Sequence, residues 1–242
     1  MSTNKNNDKK LPIGSYEYMA NAYAAVVDIK PIHIYYERPS TWALLPTQLN
    51  GLKVLDLGCG SGWYAEQLVN AGCQVTAIDA SQTMVDLTTQ RLQDKGQCIK
   101  ANLEEPLDFL RDGEFDIVLA PLVIHYIKEW LPLFKEIARV LKPKGLFIFS
   151  TQQPHTEYTL SKLDNYFHKQ LITQQWKKPD VTVQFYHHTL HELTESLFNA
   201  GFLIERMTEP LPQEGLKQNP EMYELITRQP WFLFVRAIVS KK

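Results

Sequence analysis

Lys53-Val54-Leu55-Asp56-Leu57-Gly58-Cys59-Gly60-Ser61-Gly62-Trp63-Tyr64-Ala65 is the stretch on which the fold turns. A short apolar run ends in three alternating glycines, and an amphipathic segment carrying Ala65, Leu68 and Val69 follows until Gly72. The run predicts a buried strand, the glycines a tight turn, and the period of three to four a helix that stops at Gly72. Outward from this unit the alternation recurs. Gln74 to Asp79 predicts a second strand, and Ser81 stands where it can cap a helix bearing Met84, Val85 and Leu92. Cys98 to Ala101 predicts a third strand and Phe115 to Ala120 a fourth. A helix through Leu133, Phe134, Ile137, Ala138 and Leu141 is broken at Lys142-Pro143-Lys144-Gly145, before a fifth strand at Leu146 to Ser150. Alternating strands and helices from Lys53 to Ser150 predict an α/β fold with a doubly wound, mostly parallel sheet.

The pattern changes after the fifth strand. Thr151 to Tyr186 is rich in Gln, Lys and aromatics, shows weak periodicity and offers no obvious core strand, so it is expected to form an inserted lid. A helix through Leu190, Leu193, Leu197 and Phe198, capped by Gly201, then precedes strands near Phe202 to Met207 and at Trp231 to Val239. These complete seven strands, with an antiparallel strand expected at one edge. The organisation expected is a disordered tail at 1–10, an N-terminal helical cap at 11–50, and an α/β domain at 51–242 with the lid at about 151–186.

Composition narrows the function. The chain has 242 residues, 44% apolar, and a formal charge of −2, enough for one sizeable core and without the basic bias of a nucleic-acid binder. Met1 to Lys10 lacks an apolar export segment, and no run approaches the roughly 18 to 20 apolar residues of a membrane span. Cys59, Cys73 and Cys98 are odd in number and lack zinc-type spacing, which suits free thiols in a reducing, cytoplasmic setting. His187-His188-x-x-His191 has no acidic cluster beside it, so no metal is expected. The sequence sets no oligomeric state.

Glycines at a strand-to-helix turn let a ligand approach the backbone and meet the helix N-terminus, which points to a nucleotide-like cofactor. Two cofactors fit the spacing. Gly60-Ser61-Gly62-Trp63-Tyr64-Ala65 satisfies the dinucleotide pattern G-x-G-x-x-A, with Asp79 nineteen positions beyond Gly60. Asp56 separates the two, because its carboxylate at the end of the first strand would repel a pyrophosphate. S-adenosylmethionine brings a cationic sulfonium and ammonium and no phosphate, so there the carboxylate attracts. Asp79 at the tip of the second strand can take ribose hydroxyls in either case.

Val54 to Gly62, Asp79-Ala80-Ser81 and Phe115-Asp116-Ile117-Val118 resemble the motifs of class I S-adenosylmethionine-dependent methyltransferases, in the type-11, small-molecule branch. Tyr18-Met19-Ala20-Asn21-Ala22-Tyr23, Leu141 to Gly145, Phe185 to Leu190 and Ala200-Gly201-Phe202 extend the resemblance over most of the chain. It implies a Rossmann-like sheet on which Gly58, Cys59 and Gly60 approach the methionine part, Asp79 holds the ribose, and Ala80 and Met84 flank the adenine. Asn102 and Leu103 occupy the adenine side, where the family usually has an Asp; Asn102 can accept through its amide oxygen. Gln153 stands where relatives often carry His, and His188 where an Arg is common.

Ligands in open α/β sheets bind beyond the carboxyl ends of the strands, which assigns Pro121 to the cofactor and makes His125, after the fourth strand, the expected base or substrate-orienting residue. Tyr23 and Tyr36 are expected to face the sulfonium from the N-terminal segment, where Tyr16, Tyr18, Tyr35 and Arg38 also lie. Tyr158, Tyr166 and Tyr186, with Phe167 and Trp176, are expected to wall an acceptor pocket. The reaction expected is an in-line displacement onto a small-molecule acceptor. Two alternatives compete. Tyr158-Thr159-Leu160-Ser161-Lys162 matches the Y-x-x-x-K pair of short-chain NAD(P)-dependent dehydrogenases, and the altered Asn102, Gln153 and His188 allow a binding subunit without turnover. Nucleic acid is not expected, because the chain has neither a basic patch nor an Asn/Asp-Pro-Pro-Tyr-type motif.

Overall fold

From Lys53 onward the strands pair into one seven-stranded sheet in the order β3-β2-β1-β4-β5-β9-β8. A computed structural model describes residues 14–177 and 180–240 of the chain, and the tail expected at 1–10 lies outside them. The N-terminal segment supplies α1 (Gly14–Val27), a π-helical turn at His33–Glu37 and α2 (Arg38–Trp42). The alternating portion follows as β1 (Lys53–Leu57), α3 (Trp63–Asn70), β2 (Gln74–Asp79), α4 (Gln82–Leu92), β3 (Gly96–Lys100), β4 (Phe115–Pro121), α5 (Trp130–Val140) and β5 (Leu141–Gln152). Then come α6 (Pro154–Leu160), β6 (Gln170–Lys177), β7 (Asp180–His187), α7 (Leu190–Asn199), β8 (Phe202–Thr208), α8 (Pro220–Arg228) and β9 (Phe232–Val239).

Successive strand residues divide between two cores because their side chains alternate across the sheet. Leu55, Val118 and Phe147 join α5 and α7 through Phe134, Ile137 and Leu193 on one face. Val54, Ile117, Leu119 and Ile148 join Leu68, Tyr36 and Leu44 on the other. β1, β2, β3, β4 and β5 run parallel. The chain order reverses between β1 and β4, and the crevice beyond their carboxyl ends is where such sheets bind ligands.

As expected, the last two strands pair antiparallel at one edge of the sheet, with β9 between β5 and β8. Two regions differ from the sequence expectation. The stretch 151–186 is not strandless: β5 runs on to Gln152, and β6 and β7 form an antiparallel hairpin in which Ile172 faces Phe185. Only Ile172, Val183 and Phe185 of the hairpin's described residues join the buried apolar cluster, and a strand half-buried on so polar a segment hides its alternation. Finally, α8 was not foreseen, although Asn219 caps it through the Met222 amide and Pro220 opens its first turn. Among the described residues no helix is long and apolar enough to cross a membrane.

Candidate active site

The glycine turn and the tips of β1, β2 and β4 open on a cavity of about 250 Å³. Gly58 and Gly60 both adopt left-handed backbone, with φ of +65° and +54°. A Cβ at Gly58 would lie 2.3 Å from Val123 Cγ2, whereas one at Gly60 would meet no atom within 4 Å. Gly58 therefore lets the turn pack against the loop after β4, and Gly60 leaves open space for something to approach its backbone. The turn is tied down by Asp79, whose Oδ2 accepts from the Gly60 amide and Oδ1 from the Ser81 amide, each at 2.9 Å. Ser81 also caps α4, its Oγ accepting from the Met84 amide at 3.3 Å. Thr88 Oγ1 donates to the Gly60 carbonyl at 2.8 Å.

Asp56 is buried on the cavity wall, and neither carboxylate oxygen has a partner of hydrogen-bonding geometry. Burial, reinforced by the charge of Asp79 and opposed by the Ala65 amide, pushes its pKa up to about 8. A buried carboxyl left without a donor is costly unless a ligand supplies one. An incoming ammonium meets that requirement, and the open backbone at Gly60 meets its need for close approach. The residues present fit S-adenosylmethionine on both counts.

The π-helical turn brings in Glu37, a second buried carboxylate on the wall. Its Oε1 accepts from Thr41 Oγ1 and Ser150 Oγ, both at 2.8 Å, and its Oε2 from the Tyr64 hydroxyl at 2.9 Å. Burial raises its pKa, while these three donors and Arg38 pull it back. Ser150 Oγ in turn accepts from the Leu122 amide at 3.0 Å, so the ends of β4 and β5 are wired to the N-terminal segment. Leu122 holds a φ of +48°, a strained conformation for a leucine, on the cavity wall. Arg38 pairs with Asp28 at 2.9 Å and lies 4.2 Å over the Trp63 ring. π-Helical turns of this kind recur at functional sites.

Of the residues the sequence assigns to the cofactor, Tyr23, Asp56, Gly58, Cys59, Gly60 and Asp79 line the cavity, as do Ala80, Met84, Asn102, Leu103 and Pro121. The Asn102 amide oxygen also accepts from the Glu104 amide at 3.1 Å, and Cys59 Sγ lies 3.7 Å from Cys98 Sγ, both thiols free. Tyr36 corrects the expectation: it is fully buried, stacked on Phe232 at 5.5 Å and edge-on to Phe234 at 5.7 Å, in the core behind the cavity. The side chains of Tyr16 and Tyr18 lie outside the described residues.

His125 also lies off the wall. The short helical turn at Ile124–Tyr126 turns its ring inward, 4.4 Å from Tyr126 and edge-on to Phe185 at 5.6 Å, and burial lowers its pKa to about 3. Its neighbour Tyr126 lines the cavity in its place. The acceptor tyrosines are displaced in the same way. Tyr158 and Tyr166 pack on each other at 5.7 Å, the Tyr166 hydroxyl accepts from the Leu190 amide, and Tyr186 sits beside His188. The hairpin reaches the cavity through Thr182, Val183 and Gln184 instead. Tyr158 and Lys162, the pair a dehydrogenase would need, are both off the wall. His188 stacks on Trp130 at 3.8 Å and donates from Nε2 to the Ile127 carbonyl, and no metal-holding group of His, Cys, Asp and Glu occurs among the described residues.

Several wall residues gave no sign in the sequence: His33, Glu37 and Val27 stand in no motif, and their signal is tertiary. Tyr23, on the cavity wall, meets Trp176 of the hairpin, ring centroids 6.2 Å apart, with Lys30 Nζ 5.3 Å and 4.9 Å from the two rings. This contact joins α1 to the lid.

With this geometry in place, the comparisons with known proteins bear on its use. The family model of the type-11 methyltransferase domain matches residues 55–149. A Haemophilus influenzae protein described as uncharacterized is 29% identical over 222 residues, covering 83% of this chain and 86% of that one. The ubiquinone biosynthesis O-methyltransferase of Thiobacillus denitrificans is 30% identical over 51% of this chain, which spans about half, 54%, of its length. The crystal structure of an S-adenosylmethionine-dependent methyltransferase from Mesorhizobium loti superposes with a TM-score of 0.73 at 28% identity, covering 84% of this chain and 97% of that one.

Proposed function

From the premise that this chain is a class I S-adenosylmethionine-dependent methyltransferase of the type-11 family, we propose that it methylates a small, largely apolar molecule held under the β6–β7 hairpin. The observation that carries the reading is the cavity wall beyond the glycine turn, where Val27, Val123, Ile127 and Val183 close around Tyr23 and Tyr126. Such a wall excludes water and favours an apolar guest over a phosphate backbone. The name of the Thiobacillus relative supports a small acceptor further.

In this reading Asp79 holds the ribose hydroxyls, Ala80, Met84 and Leu103 flank the adenine, and Asn102 receives its amino group. Asp56 faces the methionine ammonium, and Gly58, Cys59 and Gly60 let that part lie against the backbone. Tyr23, kept neutral by burial, turns its ring toward the sulfonium. When bound, S-adenosylmethionine supplies a methyl group on a cationic sulfur that is open to in-line attack. The protein's part is alignment and dryness, which are worth several kcal/mol in displacement chemistry. The three free thiols suit a cytoplasmic enzyme. The test is S-adenosylhomocysteine release from the purified chain against small apolar hydroxyl, amine and carboxyl compounds, with oligonucleotides as the contrast. Turnover confined to oligonucleotides would refute the reading.

A further inference from the structure

With His125 sealed in the core, a proton-bearing acceptor needs another group to receive its proton. The groups on the cavity wall that can take a proton are mostly committed. Glu37 already accepts from three hydroxyls, and Asp79 from two amides. Asp56 answers the cofactor's cationic end in the reading above. Cys59 is engaged with Cys98, and the Arg38 cation with Asp28. Glu104 stands beside Asn102, at the adenine end. His33 is what remains: half-buried on the wall, at the start of the π-helical turn, with neither ring nitrogen hydrogen-bonded to a described residue.

We propose that His33 receives the acceptor's proton and that the acceptor is a neutral, apolar compound whose nucleophile is a hydroxyl. This rests on the methyltransfer reading above and specifies its substrate class. The acceptor oxygen forms its bond to the methyl carbon as the sulfur–carbon bond breaks with its electron pair on sulfur. The hydroxyl proton passes to the free nitrogen of His33 and from there to solvent. Burial, then the charges of Arg38 and Lys30, keep the imidazole neutral by lowering its pKa to about 3, against a weaker opposing pull from Asp28. So weak a base suffices because the oxygen becomes positive as the methyl arrives, and its proton is then strongly acidic. A carboxylate acceptor would leave His33 without a task, and on the wall it would find Arg38 already paired.

The test needs no knowledge of the natural acceptor. Protein saturated with S-adenosylhomocysteine is titrated with 4-methylphenol and with its ether, 4-methylanisole, for the native chain, His33→Phe and His33→Gln. The native chain should prefer the phenol by roughly fivefold, the worth of one neutral hydrogen bond, and His33→Phe should lose the preference while keeping its affinity for S-adenosylhomocysteine. With a phenol that releases S-adenosylhomocysteine, His33→Gln should lower kcat by roughly 10²-fold with KM little changed. Retained discrimination in His33→Phe, failure of the phenol to bind, or an unchanged kcat in His33→Gln would overturn the proposal. Turnover confined to carboxylates or amines would do the same and leave methyl transfer standing. No release from any compound would overturn both.

Discussion

The two ends of the cavity are assembled differently. At the glycine turn, Asp56, Gly58, Gly60 and Asp79 come from two consecutive strand–helix units, locked by hydrogen bonds between neighbouring strand tips. Around the rest of the wall, Tyr23, Tyr126 and Val183 come from three separated segments that share one apolar cluster, and His33 comes from a fourth. A backbone-anchored corner fixes geometry within tenths of an ångström, whereas a packed cover can change its occupant by changing side chains. The first end is suited to one invariant ligand and the second to a variable one.

The contrast is most exposed at Gly58. Replacing it with Ala puts a Cβ against Val123 in a left-handed backbone, and the cost should be about 3 kcal/mol, measurable by urea unfolding. A loss below about 1 kcal/mol would mean that the corner yields and is not the rigid half.

Asp56→Asn should come next. The loss of a charge-assisted contact is expected to weaken S-adenosylmethionine binding by about 10- to 100-fold, read by calorimetry. The same substitution should stabilise the empty protein in base. The folded carboxyl titrates near 8, above its ordinary 3.8, so its stabilising contribution is complete below the unfolded value and is lost as pH rises through about 8. At about 1.4 kcal/mol per tenfold change in proton affinity, the native chain should lose a few kcal/mol relative to Asp56→Asn between pH 5 and 8.5, followed by thermal melting. Equal slopes for the two chains would show that Asp56 is not the strained acid of the site.

Trp176→Ala tests the cover. It removes a ring that Lys30 and Tyr23 contact, and should cost about 1 kcal/mol and raise the KM for acceptor, with the affinity for S-adenosylhomocysteine unchanged. A matched loss at both ends would erase the distinction between them. The smallest effect belongs to Tyr158→Phe, within about 0.5 kcal/mol of the native stability and without effect on turnover, because Tyr158 lies off the cavity. Loss of activity there would revive the dehydrogenase-type pair.

The same division explains what could be read from the chain alone. The central parallel strands were legible because short, mostly apolar runs are bounded by turn residues, and Ser81 marks its helix by a local hydrogen bond. The hairpin was not, since the polar face of β6 masks the positions that bury Ile172. His125 misled for a similar reason. The helical turn after β4 decides which of two adjacent rings faces the cavity, and it selects Tyr126.

By itself the sequence determined the sheet, the glycine turn and the charge of its cofactor, because strand period, left-handed glycines and a strand-end carboxylate act within a few residues of one another. The tertiary structure decided which histidine and which aromatics line the cavity. Those assignments depend on α1, the π-helical turn and the β6–β7 hairpin packing over the strand ends, and contacts between distant segments leave no local period to read.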